Sequence, residues 1–302
     1  MAVLVLLLGA CQQSEDNGER ANATTPKWVA PTADETANTS YRGIYDTPVR
    51  LHDGVFEGDP FVEGGASRPT VTLVTDVLRT ADIDDDGEVE AAVILAETSG
   101  GSGSNLYLAV VARRVQGVVN LGTAPIGDRV QIRSFRLTGN GIELDVIQAG
   151  PDDAMCCPSQ KATRIWTLGP YGLREGPPEL TGTFFLDDVA GIEWILKEME
   201  KPVADSVTVT LTIGADRVGG ACGCNRYFAE IKQTSAGEVV IGDIGSTMMM
   251  CPDNIMDIER AYLSALGGVT GYSFLVERLV LTSRQGDQLT RLVFIPKESP
   301  SP

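Results

Sequence analysis

Histidine is nearly absent from this 302-residue chain, with His52 the single example. No multi-histidine metal site can form, and a Ser-His-Asp or Cys-His centre would have to use that one residue. Positive charge is also scarce: 24 basic residues stand against 41 acidic ones, a formal charge of −17. Such a surface repels polyphosphate, which excludes nucleic acid as a partner class. No apolar run reaches the roughly 20 residues needed to span a bilayer as a helix. The apolar share of 43% is nevertheless ample for ordinary cores, and at about 150 residues per domain the length implies two domains.

The N-terminus carries an address. Residues 1–10 read MAVLVLLLGA and run directly into Cys11, an apolar segment closed by small residues, as in a signal peptide. No Lys or Arg precedes it. Leu8-Gly9-Ala10-Cys11 resembles the lipobox of bacterial lipoproteins, which implies that Cys11 is lipidated and becomes the mature N-terminus. Residues 11–40 are rich in Ser, Thr, Asn, Asp, Glu, Ala and Pro without apolar periodicity, and read as a flexible tether. The expected location is the cell envelope, lipid-anchored and extracytoplasmic. In a Gram-negative organism that means outer membrane or periplasm, because Gln12 lacks the aspartate linked with inner-membrane retention.

A first folded region is expected over residues 41–175. Strand patterns recur at 70–77, 90–96, 106–111, 130–137, 142–147 and 162–168, separated by turn residues, and point to a β-rich antiparallel module. His52 falls in a turn with Asp53-Gly54. Asp82, Asp84, Asp86 and Glu90 occupy positions one, three, five and nine of an acidic loop that contains Gly87. Calcium takes six to eight hard oxygens, which alternating carboxylates supply. The string resembles the DxDxDG loops of calcium-binding β-proteins and of EF-hands, although Val93 stands where an EF-hand needs its bidentate Glu. The competing reading is an Asp-Gly hairpin turn whose side chains cap their own backbone. Ser99-Gly100-Gly101-Ser102-Gly103-Ser104 lacks the Lys-Ser/Thr of a phosphate loop and reads as a hairpin connection.

Adjacent Cys156 and Cys157 allow a vicinal disulfide, a redox pair or separate fates. No CxxC pattern accompanies them, so pinning of a loop is the favoured reading. The acidic loop, the glycine-rich turn, Gly127-Asp128-Arg129 and Cys156-Cys157-Pro158 occur in the same order in a secreted bacterial module of unknown activity. The resemblance implies a fold unit and an envelope location, and no catalytic residues.

Gly176-Pro177-Pro178 breaks the pattern, making 176–185 a linker in which 179–185 is a candidate bridging strand. Strand patterns resume at 191–196, 207–213, 238–244, 272–276, 278–282 and 288–295. One helix is clear after Cys251-Pro252: Asp253 can cap it, Ile255, Ile258, Tyr262, Leu263 and Leu266 form its apolar stripe, and Gly267-Gly268 ends it. The fold class is therefore α+β and β-rich, the C-terminal domain being a curved antiparallel sheet or partial barrel covered by one helix.

Gly191-xx-Trp194, Gly223-Cys224-Asn225-Arg226-Tyr227, Thr247-Met248-Met249-Met250-Cys251-Pro252 and Glu259-xx-Tyr262 together resemble the META domain, whose members include the heat-inducible HslJ-like lipoproteins. The resemblance spans residues 186–297. It implies a small α+β domain without a proven enzymatic activity, stress-linked or envelope-associated, in which Trp194, Gly223, Asn225, Arg226, Tyr227 and Glu259 are structural. It also implies that Cys224 and Cys251 are the family's two cysteines, which outside the cytosol favour a disulfide. Cys222 is then extra. With Cys11 lipidated, five cysteines remain, so at least one is free or paired between molecules.

The leading functional expectation is a non-enzymatic lipoprotein that presents its surfaces to an envelope protein or wall component, with no catalytic residues and no certain cofactor. One alternative is a calcium-responsive module using Asp82, Asp84, Asp86 and Glu90. Another is thiol-redox work by Cys156 and Cys157, or a soft-metal site of Cys222, Cys224 and Cys251 with Met248, Met249 and Met250. Against the soft-metal site stands a disulfide beside methionines that fill the core under the helix.

Overall fold

The structure is a computed structural model that describes residues 29–100, 103–154, 157–204 and 206–297. Cys11 and Cys156 lie outside the described residues. The N-terminal module runs α1 (Ala33–Ala37), β1 (Ser40–Tyr41), β2 (Val49–Arg50), β3 (Val55–Glu57), β4 (Thr70–Leu73), β5 (Arg79–Ala81), β6 (Glu90–Thr98), β7 (Asn105–Arg114), β8 (Gly117–Asp128), β9 (Gln131–Thr138), β10 (Gly141–Gln148), β11 (Gln160–Gly169), β12 (Gly172–Glu175) and β13 (Glu179–Thr183). β14 (Glu193–Glu198), β15 (Thr210–Ile213), β16 (Arg217–Ala221), β17 (Arg226–Ser235), β18 (Glu238–Ile241), β19 (Gly245–Ser246), α2 (Asp253–Gly267), β20 (Val269–Leu275), β21 (Arg278–Gln285) and β22 (Gln288–Pro296) follow.

Two antiparallel sheets form the N-terminal module. One has the order β3-β4-β6-β7-β8 with β5 also on β6, and the other β12-β11-β10-β9 with β13 also on β11. Their facing sides share a core in which Ile94, Leu108 and Ile126 meet Phe135, Leu144 and Trp166. The outer face of β6 and β7 is covered in turn by Tyr41, Val49 and Leu51. Both faces of β6 are therefore dry, which is why Ala91 to Leu95 form an unbroken apolar run rather than an alternating one.

Three expectations change here. The 12-residue strand β8 was not marked by the sequence pattern, because its glycines and threonine dilute the apolar alternation. The end of the expected tether is folded: Thr32 and Glu35 form a capping box for α1. Arg113 holds Glu35 in an ion pair and donates to the Val29 carbonyl at 3.0 Å. Finally, the expected linker is built into both modules, since β13 pairs with β11 while Phe184 is buried in the C-terminal core.

The C-terminal region closes completely. β16-β15-β14-β22-β21-β20-β18-β17 form an antiparallel barrel of eight strands, sealed by the β16–β17 pairing, with β19 appended to β17. Closure removes the free sheet edges that a partial barrel would leave. Tyr227, Ala229 and Ile231 of β17 point inward while Arg226, Phe228 and Glu230 point out, the period-two alternation of a barrel wall. Close approach of the strands is possible because Gly220 has no Cβ: one there would lie 2.1 Å from the Thr210 carbonyl oxygen. Helix α2 lays Ile258, Tyr262 and Leu266 into this core. Its N-cap is Pro252 and makes no side-chain cap bond, so Asp253 is the first helical residue rather than the expected cap. Gly268 is the C-cap, as the paired glycines indicated.

One hairpin joins the modules. Between β20 and β21, Val276 and Glu277 turn with φ of 32° and 62°, a backbone that β-branched residues rarely adopt. Val276 is buried among the N-terminal core residues. The Glu277 N–H donates to the Ile132 carbonyl at 2.8 Å, and its carboxylate accepts from the Phe135 N–H at 2.9 Å and from Arg79. Phe274 N–H donates to Gln131 Oε1 at 2.8 Å. The barrel thus threads a tight turn into the sandwich, whose backbone holds it in place.

Two outcomes are expected from this arrangement. Glu277→Ala removes acceptors from Arg79 and from the Phe135 N–H at a cost of about 1–3 kcal/mol, and scanning calorimetry should resolve two transitions in the variant; an unchanged profile would refute the coupling. The second concerns α1. The Arg113 hydrogen bond, with help from the Thr32 N–H, holds the Glu35 carboxyl down at about 2 from an ordinary 4.5. A depressed native value stabilises above pH 4.5 and is lost as pH falls through about 2. Amide protection factors in α1, taken relative to the intrinsic rate at each pH, should fall across that window, and Glu35→Gln should abolish the dependence.

Candidate functional site

The motif residues of the barrel converge on one loop cluster. Gly223 sits at φ 98°, and a Cβ there would lie 2.7 Å from Ile255 Cγ2 at the start of α2, so only glycine lets the 222–226 loop lie on the helix. Cys224 and Cys251 are joined in a disulfide that ties this loop to the segment entering α2. Asn225, 1% exposed, occupies the centre. Its Oδ1 accepts from the Met249 N–H and the Thr247 hydroxyl, both at 2.7 Å. Its Nδ2 donates to the Met249 carbonyl and to both oxygens of Glu259, each at 3.1 Å. One amide therefore ties its own loop to two other chain segments with its polar atoms paired, as a buried polar group requires.

The neighbouring motif residues are also occupied. Tyr227 and Tyr262 hydroxyls lie 2.6 Å apart, and Tyr227 donates to the Thr210 carbonyl at 2.9 Å. Trp194 is buried, with its indole N–H directed at the Val189 carbonyl at 3.4 Å. Arg226 contributes through its backbone, donating to the Thr247 hydroxyl at 3.1 Å and accepting from the Thr247 N–H at 3.0 Å. Burial raises both tyrosines well above their ordinary range. Burial, reinforced by the charge of Glu259, pushes the Cys222 thiol up to about 12. None of the three is ionised at neutral pH, so none is a ready nucleophile.

This geometry corrects two readings of the sulfur-rich segment. Cys224 and Cys251 are consumed by their disulfide and Cys222 is a buried thiol, so the soft-metal set of three thiolates is not assembled. The methionines do not fill the core either: Met248, Met249 and Met250 are 97%, 60% and 96% exposed. Asn225 spends its bonds on the backbone of Met249, which holds the segment outside the barrel wall. Phe228, 61% exposed, lies on the same wall with its ring against Gly245, two residues before Thr247. The exposure of these four side chains is not revealed by the spacing of residues.

In the N-terminal module the remaining marked residues have separate surroundings. His52 lies exposed in its turn. Asp128 of the Gly-Asp-Arg segment accepts from the Ser104 N–H at 3.1 Å, anchoring the end of the glycine-rich turn. Cys157 is disulfide-bonded. Asp153, just before the cysteine pair, accepts from the Gly150 and Ser159 N–H groups at 2.7 Å. The acidic residues occupy the β5–β6 hairpin loop. Carboxylate oxygens of Asp82, Asp84 and Asp86 all lie within 4.8 Å of one another and face solvent. Glu90, by contrast, is fully buried beneath them and accepts from the Ile83 N–H at 2.9 Å.

A cleft of about 770 Å³ opens between the modules, lined by Trp194, Phe274, Arg133, Asp188, Lys197 and Arg278. It was not visible in the sequence, because its walls come from segments far apart in the chain. Arg133 spans it over the rings of Phe184 and Phe274, at 5.7 and 5.8 Å. No helix among the described residues is long and apolar enough to cross a membrane.

Asn225→Ala removes the amide that answers Glu259 and the Met249 backbone, and is expected to cost the barrel about 2–4 kcal/mol. Reducing the disulfide, which spans 27 residues, is expected to cost about 3 kcal/mol. Urea unfolding of the variant and of the reduced protein measures both, and losses below 0.5 kcal/mol would refute these roles.

Among solved structures, the chain is similar to one titled "NMR structure of the protein from Burkholderia xenovorans", with 25% identity, coverage of 37% of this chain and 86% of that one, and a TM-score of 0.31. No curated protein matches. The META domain family model matches residues 187–294, the stretch that contains the barrel, the Asn225 cluster and the disulfide. The C-terminal barrel is thus the part of the chain that is similar to the META domain family.

Proposed function

We propose that the protein is a non-enzymatic envelope lipoprotein that docks another envelope protein through the sulfur-rich face of its META domain. The observation that carries this reading is the run of three consecutive exposed methionines, which follows the short strand paired with exposed Phe228. Large apolar side chains gathered on a surface mark interaction sites. Methionine in particular is flexible and polarisable, and suits a surface that adapts to a protein groove. The choice of a protein over anionic lipid or wall polymer follows from the charge of −17, which opposes approach to either polyanion.

Further support comes from how the motif residues are used. Asn225, Tyr227 and Glu259 spend their polar atoms on internal bonds, and burial keeps Cys222, Tyr227 and Tyr262 protonated. An active site needs a poised acid, base or nucleophile open to substrate. Attachment through Cys11, with the residues that follow it as a spacer, would hold the domain near membrane-bound partners.

A photo-crosslinking amino acid placed at Phe228 or Met248, with fully exposed Tyr171 of the other module as control, tests the docking face in intact cells. One adduct of the same mass is expected from 228 and 248 and none from 171. Absence of adducts, or identical adducts from all three positions, would refute it. Cys11→Ser is expected to move the protein from the membrane to the soluble fraction.

A further inference from the structure

The cleft between the modules plays no part in the docking face. Its volume of about 770 Å³ falls in the range of small-molecule sites, roughly 300–1,000 Å³. Ile192, Trp194, Phe274 and Ile295 give it an apolar wall. Charge is distributed unevenly around that wall. Four carboxylates line the cleft, and each has a cationic partner: Asp76 and Glu198 take Arg278 at 3.0 and 3.5 Å, Asp188 takes Lys161 at 2.6 Å, and Glu277 takes Arg79. Arg133 and Lys197 also line it, and neither has an ion-pair partner among the described residues. Two unclaimed cations thus share one apolar cleft in a chain whose formal charge is −17.

Arg133 is held in place without being neutralised. Its guanidinium lies over the rings of Phe184 and Phe274. Its Nη2 donates to the Asp188 carbonyl at 3.3 Å, while the Asp188 carboxylate goes to Lys161. Its Nε is buried and has no hydrogen-bond partner among the described residues. Stacking on aromatic faces leaves the edge of a guanidinium, where its N–H groups lie, for a partner in the same plane. A guanidinium drawn partly out of water with donors unpaired is costly. A carboxylate answers it best, because the fork of N–H groups matches its two oxygens.

We propose that the inter-module cleft binds a small organic monoanion, a carboxylate carried on an apolar ring, with the carboxylate on Arg133, Lys197 at the rim and the ring against Ile192, Phe274 and Ile295. Aromatic and aliphatic walls favour a flat apolar body. The four wall carboxylates and the charge of the whole chain select against phosphate esters and polyanions, because each added negative charge meets further repulsion. Arg133 belongs to β9 of the sandwich and Lys197 to β14 of the barrel, so the ligand bridges the two modules. None of Met248, Met249, Met250 and Phe228 lines the cleft, which makes this site independent of the docking face.

The test titrates the full chain, in phosphatidylcholine nanodiscs with empty discs as blank, with naphthylacetate by calorimetry. Naphthylethanol and naphthylmethylamine carry the same ring with no charge and with the opposite charge. One equivalent of naphthylacetate is expected to bind, with the alcohol roughly tenfold weaker or more and no binding of the amine. Arg133→Gln is expected to weaken naphthylacetate by roughly tenfold or more. Lys197→Gln, at an exposed position where the fold is not at risk, is expected to weaken it roughly threefold. No saturable heat from naphthylacetate in the unaltered chain would overturn the proposal. So would equal affinity for the alcohol, or unchanged affinity in Arg133→Gln.

Discussion

The side chain of Asn225 is where three parts of the barrel meet: the loop that follows β16, the extended segment before α2 and the helix itself. A buried amide has two acceptor sites and two donors, and leaving them unpaired costs more than a hydrogen bond returns. Here the amide is answered by Thr247, Met249 and Glu259, and those partners come together only when the barrel is closed and the helix is docked. The disulfide from Cys224 to Cys251 restrains the same loops covalently. Gly223 and Gly220 remove the side chains that would hold these backbones apart. Specificity for one closed state therefore comes from a small polar centre inside a core that is otherwise apolar.

The same logic explains the surface. Asn225 engages Met249 through its backbone carbonyl and N–H, and the flanking side chains are turned outward. The motif thus has an inner part that fixes the fold and an outer part that is free to touch something else. At the opposite side of the barrel, the Val276-Glu277 turn is gripped by β9 and by Arg79 of β5. That strand leads directly into the acidic loop, so the inter-module junction and the carboxylate cluster share one hairpin.

Much of the fold could be read from residue patterns. The apolar stripe from Ile255 to Leu266 located α2 because a surface helix buries one face, alternation located β15, and β-rich runs between turn residues located β10, β11 and β22. What escaped was set by tertiary context. Strand β16 reads Arg-Val-Gly-Gly-Ala and carries little β propensity, yet it is the strand that closes the barrel. The Val276-Glu277 turn lacks the Asn-Gly signature of a tight hairpin, because contacts with the other module stabilise its unusual backbone. The Met248 to Met250 run reads as core by residue type and is exposed by backbone bonding. For the acidic loop, spacing marked Asp82, Asp84, Asp86 and Glu90 together, whereas the fold brings the carboxylates of the three exposed aspartates within 4.8 Å of one another and leaves Glu90 buried outside that group.

The central claim is that the motif residues of the C-terminal region act as one polar clamp that closes the barrel and leaves its outer face exposed. Native-state hydrogen exchange in the unaltered chain and in Asn225→Ala tests it most directly. If the clamp is one unit, the amides of β16, β17, residues 247–251 and the first turn of α2 will lose protection together and by the same free energy in the variant, while the N-terminal sandwich keeps its protection. Loss confined to the amides that contact Asn225 directly, with β16 and β17 unchanged, would contradict the account.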